Sequence, residues 1–428
     1  MIPLTLEEIA RLCPGDLEPA TRADAVTGVE VDSRRIEEGD LFVAVGRGAD
    51  FRHEALARGA AATLVPEDAL GALAALGGAV RDRTEAEVVG LTGSTGKTST
   101  KDILAALCRP HRRTIATEAS YNAELGVPLT LCRLEPETEL CVLELAMRGP
   151  GQIAELCAFA RPTAGVITNV APVHLERVGS LAGVASAKGE LLEALPARAW
   201  AVVPAGVPEL EPHLRSDLRY VRVGEGVRLE RFEPPRLAVS VDGERVELEV
   251  PFTARHQADN AVTALAAYAA LGLPLEDAAR GALGIAFSPW RGEERPLPGG
   301  GVLVNDAWNA NPVSTAAALA HLVRLADGRR TVAVLGDMAE LGPDSPRFHR
   351  EVGETAARLG VDVVLGVGPL ARGYLDARVA ETKWVETVRE GIEALLGLLR
   401  DGDVVLVKGS RSMGMERVAD ALVVAEKV

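Results

Sequence analysis

Short apolar runs recur along the chain and alternate with stretches whose apolar residues have helical spacing. In the middle of the chain, four runs have the length of buried strands: 88–91, 141–145, 165–170 and 199–203. From Thr98 the pattern becomes helical, with Ile103 and Leu107 on one face. Strands that alternate with helices predict a parallel, doubly wound sheet, so we expect an α/β fold.

The flanking parts of the chain repeat this alternation. Three apolar runs precede the central unit, at 29–31, 41–45 and 61–65. Three more follow it, at 332–335, 361–367 and 404–407. The first group lies between polar turns and predicts a small α/β unit, whereas the second alternates with helical stretches and predicts another, Rossmann-like sheet.

Two segments between these units have a different pattern. Between 237 and 250 the apolar period becomes two on both sides of Asp242-Gly243, which predicts a β-hairpin on the flank of the central sheet. Residues 288–301 are rich in proline and glycine and indicate a domain link. A length of 428 residues fits three domains of about 150 residues each. We place these domains at 1–83, 84–290 and 291–428.

Charge and cysteine content narrow the class of protein. The net charge of −15 argues against a surface that binds nucleic acid or an anionic membrane. The five cysteines are odd in number and form no CxxC pair, so we expect neither a disulfide scaffold nor a zinc ribbon. This cysteine content fits a protein of the reducing cytosol. The first ten residues lack the cationic segment of a secretory signal, and the alanine-rich stretch 69–80 is too short to span a bilayer. We therefore expect a cytoplasmic globular protein.

Lysine is rare in this chain, which uses arginine for most of its positive charge. Only six of the 46 basic residues are lysines: Lys97, Lys101, Lys188, Lys383, Lys408 and Lys427. A compact ammonium or a neutral amine does chemistry that a guanidinium does not, so a lysine inside a motif is of interest. This singles out Lys97, Lys188 and Lys408.

The strongest local signal is the glycine turn Thr92-Gly93-Ser94-Thr95-Gly96-Lys97-Thr98, between a predicted strand and a predicted helix. Such a turn leaves backbone N–H groups free to surround phosphate oxygens at the positive end of the helix. We expect Lys97 to reach the β- and γ-phosphates and the Thr98 hydroxyl to bind Mg²⁺. Leu91 stands where the usual pattern has its first glycine, so the loop is a shortened variant. The alternative is an ordinary glycine turn capped by a threonine.

Two potential metal ligands follow strands of the same predicted sheet. Glu144 lies in the run 141–145, and His174 comes shortly after the run 165–170. In a doubly wound sheet both belong at the carboxyl edge, where ligands bind, together with the glycine turn. Taken alone, Glu144 is also consistent with a polar strand end, and His174 with an ordinary surface or core histidine. Their shared edge with the glycine turn is what makes them candidates.

Further polar clusters have weaker signals, and each has a plain structural alternative. Lys188 lies in a helical segment, where a solvated lysine paired with a carboxylate is the simpler interpretation. The stretch 306–312 contains two asparagines before a proline and is equally consistent with a turn. Two more clusters follow predicted strands, at 337–340 and 408–411. The basic spot 33–35 indicates either a surface charge cluster or an anion site.

Together these residues resemble the Mur ligase family, the ATP-dependent amide-forming enzymes of peptidoglycan precursor synthesis. The resemblance covers nearly the whole chain, and its motifs recur in order. Beyond the TGSTGKT loop they are Tyr121-Asn122 to Gly126-Val127-Pro128, Glu144 in LELAMRGPG, Asn169 to Glu176, Lys188, His256 with Asn260, Asp306 to Pro312, LGDMAELG at 335–342, His349 and KGSR at 408–411. Agreement at so many spaced sites is far more specific than any one motif.

Within the family, NANP at 309–312 and LGDMAELG resemble the branch that adds D-alanyl-D-alanine to UDP-N-acetylmuramoyl-tripeptide. The DNPR signature of the diaminopimelate-adding relative is absent. The resemblance implies a UDP-sugar domain at 1–83, a central ATP-binding P-loop domain at 84–290, and a Rossmann-like domain at 291–428 that binds ATP and the incoming amine. It also implies an acyl-phosphate intermediate, with ATP and Mg²⁺ as cofactors.

The resemblance implies roles for single residues. Those for ATP binding are Thr92, Gly93, Ser94, Thr95, Gly96, Lys97, Thr98, Asn260, Arg291 and Asp306. Those for metal binding are Thr98, Glu144 and His174, the last for a second Mg²⁺, and the catalytic set is Lys97, Lys188 and His174. His256 belongs near the nucleotide base. Lys188 resembles the lysine that becomes carbamylated (N6-carboxylated) in this family. The resemblance implies that its neutral amine takes up CO₂ and gives an anionic group that supports magnesium.

The resemblance also implies substrate contacts from all three domains: Ser33, Arg34, Asn122, Asn309, Asn311, Lys408, Ser410 and Arg411. The first two would contact the uridine diphosphate sugar, and the two later asparagines the incoming dipeptide or nucleotide. The chain departs from the family pattern at Trp308, where tyrosine is usual, at Ser120, where asparagine is common, and at 47–51, where the DGH element is not clean.

Other functions stay open at this point. Another Mur ligase, or an amide ligase similar to folylpolyglutamate synthetase, would share the ATP machinery and differ in its substrates. A regulatory P-loop switch would bind ATP or GTP and signal to a partner, but it needs no second substrate pocket. For the ligase we expect small-molecule substrates, no nucleic-acid or membrane partner, and a monomer.

Overall fold

The computed structural model describes residues 1–20 and 23–424, whose strands and helices form three consecutive α/β units. The strands of the first unit are β1 (Leu4–Thr5), β2 (Gly15–Pro19), β3 (Ala25–Val26), β4 (Gly28–Glu30), β5 (Asp40–Val43) and β6 (Ala62–Pro66). Its α-helices are α1 (Leu6–Leu12), α2 (Arg52–Ala57) and α3 (Ala69–Arg81). Strands β2, β6, β5 and β4 form one sheet in that order, in which only β2 is antiparallel, and β1 pairs with β3. The expected small α/β unit is confirmed.

The second unit contains the long central sheet. Its strands are β7 (Glu87–Thr92), β8 (Thr114–Ala116), β9 (Leu140–Glu144), β10 (Ala164–Ile167), β11 (Trp200–Pro204), β12 (Arg219–Val223), β13 (Val227–Glu233), β14 (Arg236–Val241) and β15 (Glu244–Glu249). Its α-helices are α4 (Lys97–Cys108), α5 (Gly126–Leu131), α6 (Gln152–Ala160), α7 (Leu175–Val178), α8 (Leu181–Ala194), α9 (Arg255–Ala270) and α10 (Ala279–Ala282). The strand order is β15-β14-β13-β12-β11-β10-β7-β9-β8, parallel from β8 to β12. Strands β14 and β15 form the expected hairpin at the flank of this sheet.

The third unit contains a six-stranded sheet. Its strands are β16 (Glu293–Pro296), β17 (Val302–Asp306), β18 (Thr331–Gly336), β19 (Val363–Val367), β20 (Glu381–Val385) and β21 (Val404–Lys408). Its α-helices are α11 (Pro312–Ala326), α12 (Ser345–Leu359), α13 (Val388–Leu398) and α14 (Glu416–Val424). The strand order is β16-β17-β21-β18-β19-β20, and only β16 is antiparallel. The Rossmann-like sheet is therefore confirmed.

The domain link predicted at 288–301 is shorter than expected. Its first residues join the central unit to the third, but the segment also contains β16, which pairs with β17 at the edge of the sheet. The residues of β16 are partly or fully exposed. An edge strand of this kind needs no apolar run, so its polar sequence carries no strand signal.

Both faces of the central sheet are buried. In β7, Val88 packs in a core that also includes residues of the first unit, while Val89 packs under α4 and α9 on the opposite face. Successive strand residues point to opposite faces, which explains why the run is continuously apolar. The doubly wound sheet is confirmed. No helix among the described residues is long and apolar enough to cross a membrane, and the alanine-rich stretch forms α3.

Candidate active site

The glycine turn joins β7 to α4 at the carboxyl edge of the central sheet. Strand β7 ends at Thr92 and α4 begins at Lys97, which leaves only the residues between them for the turn. Gly96 has φ +75°, and a Cβ on it would lie 2.2 Å from the Asn260 side chain. Glycine is therefore needed for the left-handed backbone and for the close approach of Asn260. Leu91, at the position of the first glycine in the usual pattern, is fully buried within β7 and belongs to the strand, so the loop itself is shorter.

The loop is held in place by the segment that follows β10. The Oδ1 atom of Asn169 accepts hydrogen bonds from the backbone N–H groups of Ser94, at 3.1 Å, and Thr95, at 2.9 Å. The Nζ atom of Lys97 donates to the carbonyl oxygen of Gly93 at 2.8 Å. The turn and its lysine are thus fixed in position before any phosphate binds.

Glu144 lies at the end of β9, directly beside the start of α4, and is 1% exposed. Its Oε1 atom accepts hydrogen bonds from the Thr98 hydroxyl, at 3.2 Å, and from the Asn122 amide, at 2.7 Å. Its Oε2 atom is buried and has no hydrogen-bond partner among the described residues. A buried carboxylate oxygen without a donor needs a partner, and beside a threonine hydroxyl it belongs to the hard oxygen donors that Mg²⁺ prefers.

Arg291 reaches the same point from the segment that leads into the third unit. Its Nη2 atom donates to the hydroxyls of Thr98, at 2.9 Å, and Ser120, at 3.1 Å. Burial lowers the pKa of this guanidinium, although the nearby carboxylates Glu144 and Asp306 favour its charged form. A fixed positive charge from outside the central sheet therefore faces the start of α4.

Lys97 is partly exposed, whereas Lys188 is buried, and the two lysines differ in their surroundings. Burial lowers the pKa of Lys97, while the charge of Glu144 opposes this effect. Lys188 lies on α8, is 2% exposed, and makes no hydrogen bond or ion pair with any described residue. Burial lowers the pKa of Lys188 well below its usual range, and the charge of Lys97 lowers it further. The interpretation of Lys188 as a solvated lysine paired with a carboxylate is therefore wrong.

A cavity of about 420 Å³ opens between the central and third units beside these groups. The third unit contributes Asp306, Trp308, Asn309, Asn311 and Lys408 to its wall. The Nζ atom of Lys408 donates to Asp306 Oδ2 at 2.6 Å and to the carbonyl oxygen of Asn309 at 2.8 Å. The cavity thus has the glycine loop with Lys97 on one side and a polar wall from the third unit on the other, an arrangement with room for two reactants.

His174 connects the two units at the rim of the cavity. Its Nδ1 atom lies 2.6 Å from Glu340 Oε2, and both residues have left-handed backbones, with φ of +52° and +63°. The hydrogen bond with His174 lowers the pKa of Glu340. Next to this pair, Leu175 packs against the core of the third unit. The units are closed on each other here, and with Nδ1 engaged, Nε2 is the ring atom left for a ligand.

Two stretches of the chain match known family models. Residues 91–268 match the Mur ligase middle domain, and residues 291–411 match the Mur ligase, glutamate ligase domain. The chain belongs to the Mur ligase family. The family that the motifs resemble is therefore confirmed.

Relatives match this Mur ligase over nearly its full length. The UDP-N-acetylmuramoyl-tripeptide–D-alanyl-D-alanine ligase of Escherichia coli (strain K12) is 35% identical over an alignment 463 residues long, which covers 99% of each chain. A crystal structure of MurF from Acinetobacter baumannii superposes with a TM-score of 0.85 at 27% identity and covers 98% of each chain. MurF ligase from Thermotoga maritima in complex with ADP superposes with a TM-score of 0.78 at 28% identity, covering 92% of this chain and 96% of that one. The expected three-domain fold is confirmed.

The cavity brings together most of the residues that the sequence singled out in this Mur ligase. Those that line it are Ser94, Thr95, Gly96, Lys97, Thr98, Asn122, Glu144, His174, Asn260, Arg291, Asp306, Asn309, Asn311 and Lys408. Thr92 is buried in β7, immediately before the loop. Asn311 also caps α11, because its Oδ1 atom accepts the backbone N–H of Ser314 at 2.9 Å. Asn311 therefore has a structural role as a helix cap and also lines the cavity, and its substrate role stays a prediction.

Four predicted substrate residues do not line this cavity. Ser33 is buried in the first unit, and Arg34 is exposed at the surface beside it. Ser410 is buried, and its hydroxyl accepts a backbone N–H at 2.8 Å. The guanidinium of Arg411 lies 4.7 Å from the ring centre of Trp290. Their substrate roles stay predictions.

Two residues of the cavity wall, Trp308 and Gln257, were not among the predicted site residues. Trp308 was noted only as a departure from the family pattern, yet its ring stacks on that of Trp290 and lies 5.3 Å from the guanidinium of Arg291. Gln257 lines the cavity and accepts the side-chain amide of Asn260 at 2.9 Å. Helical spacing from Asn260 on α9 would have found Gln257, whereas Trp308 gave no such local signal.

Proposed function

We propose that this Mur ligase joins the terminal carboxylate of UDP-N-acetylmuramoyl-tripeptide to the amine of D-alanyl-D-alanine and converts ATP to ADP and phosphate. The observation that carries the proposal is a single cavity walled by the phosphate loop on one side and by Asp306, Asn309 and Lys408 on the other. A carboxylate is a poor acylating agent, so an amide ligase needs both a nucleotide that activates the acid and a place for the amine. The activity in the name of the Escherichia coli relative supports the same substrates.

The reaction has two steps. A carboxylate oxygen of the tripeptide attacks the γ-phosphorus of ATP, so that ADP leaves and an acyl phosphate forms. The dipeptide nitrogen then attacks the acyl carbon, phosphate leaves, and the amine loses its proton. Lys97 and Arg291 supply positive charge where the anionic reactants meet, and such preorganised charge is the main contribution that a protein makes to phosphoryl transfer.

Mg²⁺ fits the residues beside the loop. The unpartnered Oε2 atom of Glu144 and the hydroxyl of Thr98 would hold one ion, and His174 would serve a second through Nε2. Among the described residues, no group of three or more His, Cys, Asp or Glu side chains is placed so that it could hold a metal ion by itself. Such sites usually take their remaining ligands from phosphates and water. When bound, the ion neutralises phosphate charge.

The surroundings of Lys188 favour carbamylation of its amine. Its buried, unpartnered amine has a strongly lowered pKa, and the neutral amine is the form that reacts with CO₂. Nitrogen bonds to the carbon of CO₂ and one proton is released, which leaves a carbamate anion. That anion would compensate the positive charge of Lys97.

The domains have separate roles in this proposal. Residues 1–83 bind the UDP-sugar, 84–290 bind ATP, and 291–428 bind the dipeptide and part of the nucleotide. Water would hydrolyse an acyl phosphate, so the closed contact between His174 and Glu340 protects the intermediate. We place the enzyme in the cytoplasm as a monomer, and its five buried free cysteines fit a reducing compartment.

Mass spectrometry of the product tests this function. The protein is incubated with ATP, D-alanyl-D-alanine and UDP-muramoyl-tripeptide that carries either lysine or diaminopimelate. We expect the mass of the UDP-muramoyl-pentapeptide and ADP release that depends on both the acid and the dipeptide. A panel of amino acids separates this activity from that of another Mur ligase or a folylpolyglutamate synthetase-like enzyme. Slow hydrolysis that ignores both acceptors would overturn the proposal and indicate a regulatory switch.

A further inference from the structure

An ion pair lies behind the active site, one helical turn after the phosphate loop. Lys101 is 1% exposed on α4, and its Nζ atom lies 2.8 Å from Asp102 Oδ1. The same Nζ atom donates to the carbonyl oxygens of Thr117, at 2.6 Å, and Ala119, at 3.0 Å. Two of the three donors of this ammonium therefore bind backbone carbonyl oxygens, and the carboxylate of Asp102 lies within ion-pair distance.

The lysine holds a loop that carries two groups of the site. Ala119 has φ +46°, an uncommon backbone conformation for a residue other than glycine, and the hydrogen bond from Lys101 fixes its carbonyl oxygen. Ser120 follows directly and contacts Arg291, and Asn122 binds Glu144. The position of Lys101 therefore sets where this loop presents its side chains.

The aspartate holds the link between the central and third units. Its Oδ2 atom accepts hydrogen bonds from the backbone N–H of Ser288, at 2.8 Å, and from its hydroxyl, at 2.9 Å. Arg291 comes three residues later and returns to the hydroxyls of Thr98 and Ser120. Helix α4, the loop and the link thus form a closed ring of hydrogen bonds, in which Arg291 is the member that faces the phosphate loop.

We propose that Lys101 and Asp102 are positioning residues that aim Arg291 at the reacting phosphate, Lys101 through the loop that carries Ser120 and Asp102 through the link at Ser288. The inference rests on the proposed function. Neither side chain lines the cavity. A buried ion pair contributes little net stability, because desolvation offsets the attraction, so a pair of apolar residues would serve a purely structural purpose as well or better. The ion pair instead specifies one arrangement of two segments that meet at Arg291.

Double-mutant cycles with Arg291 test the inference. Asp102→Asn, Lys101→Met and Ser288→Ala are each made in the wild type and in Arg291→Ala. Lys383→Met, on the exposed strand β20, is the matched control for loss of a lysine. The measurements are kcat of ligation, affinity for ADP, and the unfolding temperature.

Misplacing a catalytic group by about 1 Å costs about 10²-fold in rate, so we expect Asp102→Asn and Lys101→Met to lower kcat by about 10- to 100-fold. Affinity for ADP should change by less than about threefold, because neither side chain lines the cavity. In the Arg291→Ala background the same changes should lower kcat by less than about threefold, since their target is gone. Lys383→Met should behave as wild type.

Equal losses in both backgrounds, or losses that follow the fraction of unfolded protein, would overturn the inference and make the pair structural. If Lys101→Met does not fold, Asp102→Asn and Ser288→Ala still distinguish a positioning role from a structural one, because they keep the size of the side chains nearly unchanged. A wild-type protein that makes no amide would overturn the proposed function itself. If the wild-type protein is active but the effects of the substitutions and of Arg291→Ala on kcat are additive, only this inference is overturned.

Discussion

Lys188→Met should change stability and activity in opposite directions. Lys188 as a residue is 2% exposed, its amine has no hydrogen-bond partner among the described residues, and its pKa is lowered mainly by burial. A buried polar group without a partner costs about 1–3 kcal/mol. Methionine has nearly the same length and no polar head, so the substitution removes this cost while filling the same space.

We therefore expect Lys188→Met to raise the free energy of unfolding of the central unit by about 1–3 kcal/mol. For a domain of 150–250 residues, each kcal/mol corresponds to about 2–4 °C in unfolding temperature, so the increase should be several degrees. Ligase activity should fall by at least about 10²-fold, because the anionic group that Lys188 would form is gone. Leu192→Met, at a fully buried site on the same helix, is the control for volume and should change stability by less than about 1.5 kcal/mol and leave activity intact.

Scanning calorimetry without nucleotide and under CO₂-free gas measures the stability, and ADP release with full substrates measures the activity. A variant that is less stable and still active would refute the reasoning, since Lys188 would then be an ordinary structural residue.

A second substitution at this position tests for the carbamate. Lys188→Ala should regain activity with added short carboxylates, and indifference to both the substitution and the additive would remove the carbamate from the mechanism.

Three further results are expected. Lys97→Ala should lower ADP release by at least about 10²-fold, and near-normal turnover would end the phosphate-loop assignment. Burial lowers the pKa of His256 to about 4, so the unfolded chain takes up a proton first as the pH falls below 6.5. Wild type should lose up to about 3 kcal/mol of stability between pH 6.5 and 4, and His256→Phe should flatten this part of the urea-unfolding profile; parallel profiles would contradict the assignment. Glu340→Gln should weaken the contact with His174 and increase the radius of gyration in small-angle scattering, with less than about 1 kcal/mol of stability lost because both side chains are partly exposed; unchanged scattering would argue against a closing role.

The α/β class and the place of the phosphate loop could be predicted because both depend on neighbouring residues. A strand buried on both faces must be apolar at successive positions, as Val88 and Val89 are, so β7 is visible in the sequence. The loop that follows is a continuous stretch, and its glycines, lysine and threonine act where they stand. The edge strand β16 escaped prediction because an exposed edge imposes no such pattern.

The sequence by itself determined which side chains are chemically able to act, whereas the tertiary structure decided which of them act together. Arg291 meets Thr98 across 193 positions of sequence, and His174 meets Glu340 across 166, so no local periodicity marks either pair. Lys101 and Lys188 look like ordinary helical lysines in the sequence. Only the packing of the rest of the chain buries these two residues. In the packed chain the amine of Lys101 has two carbonyl oxygens and a carboxylate beside it, whereas that of Lys188 has no hydrogen-bond partner among the described residues.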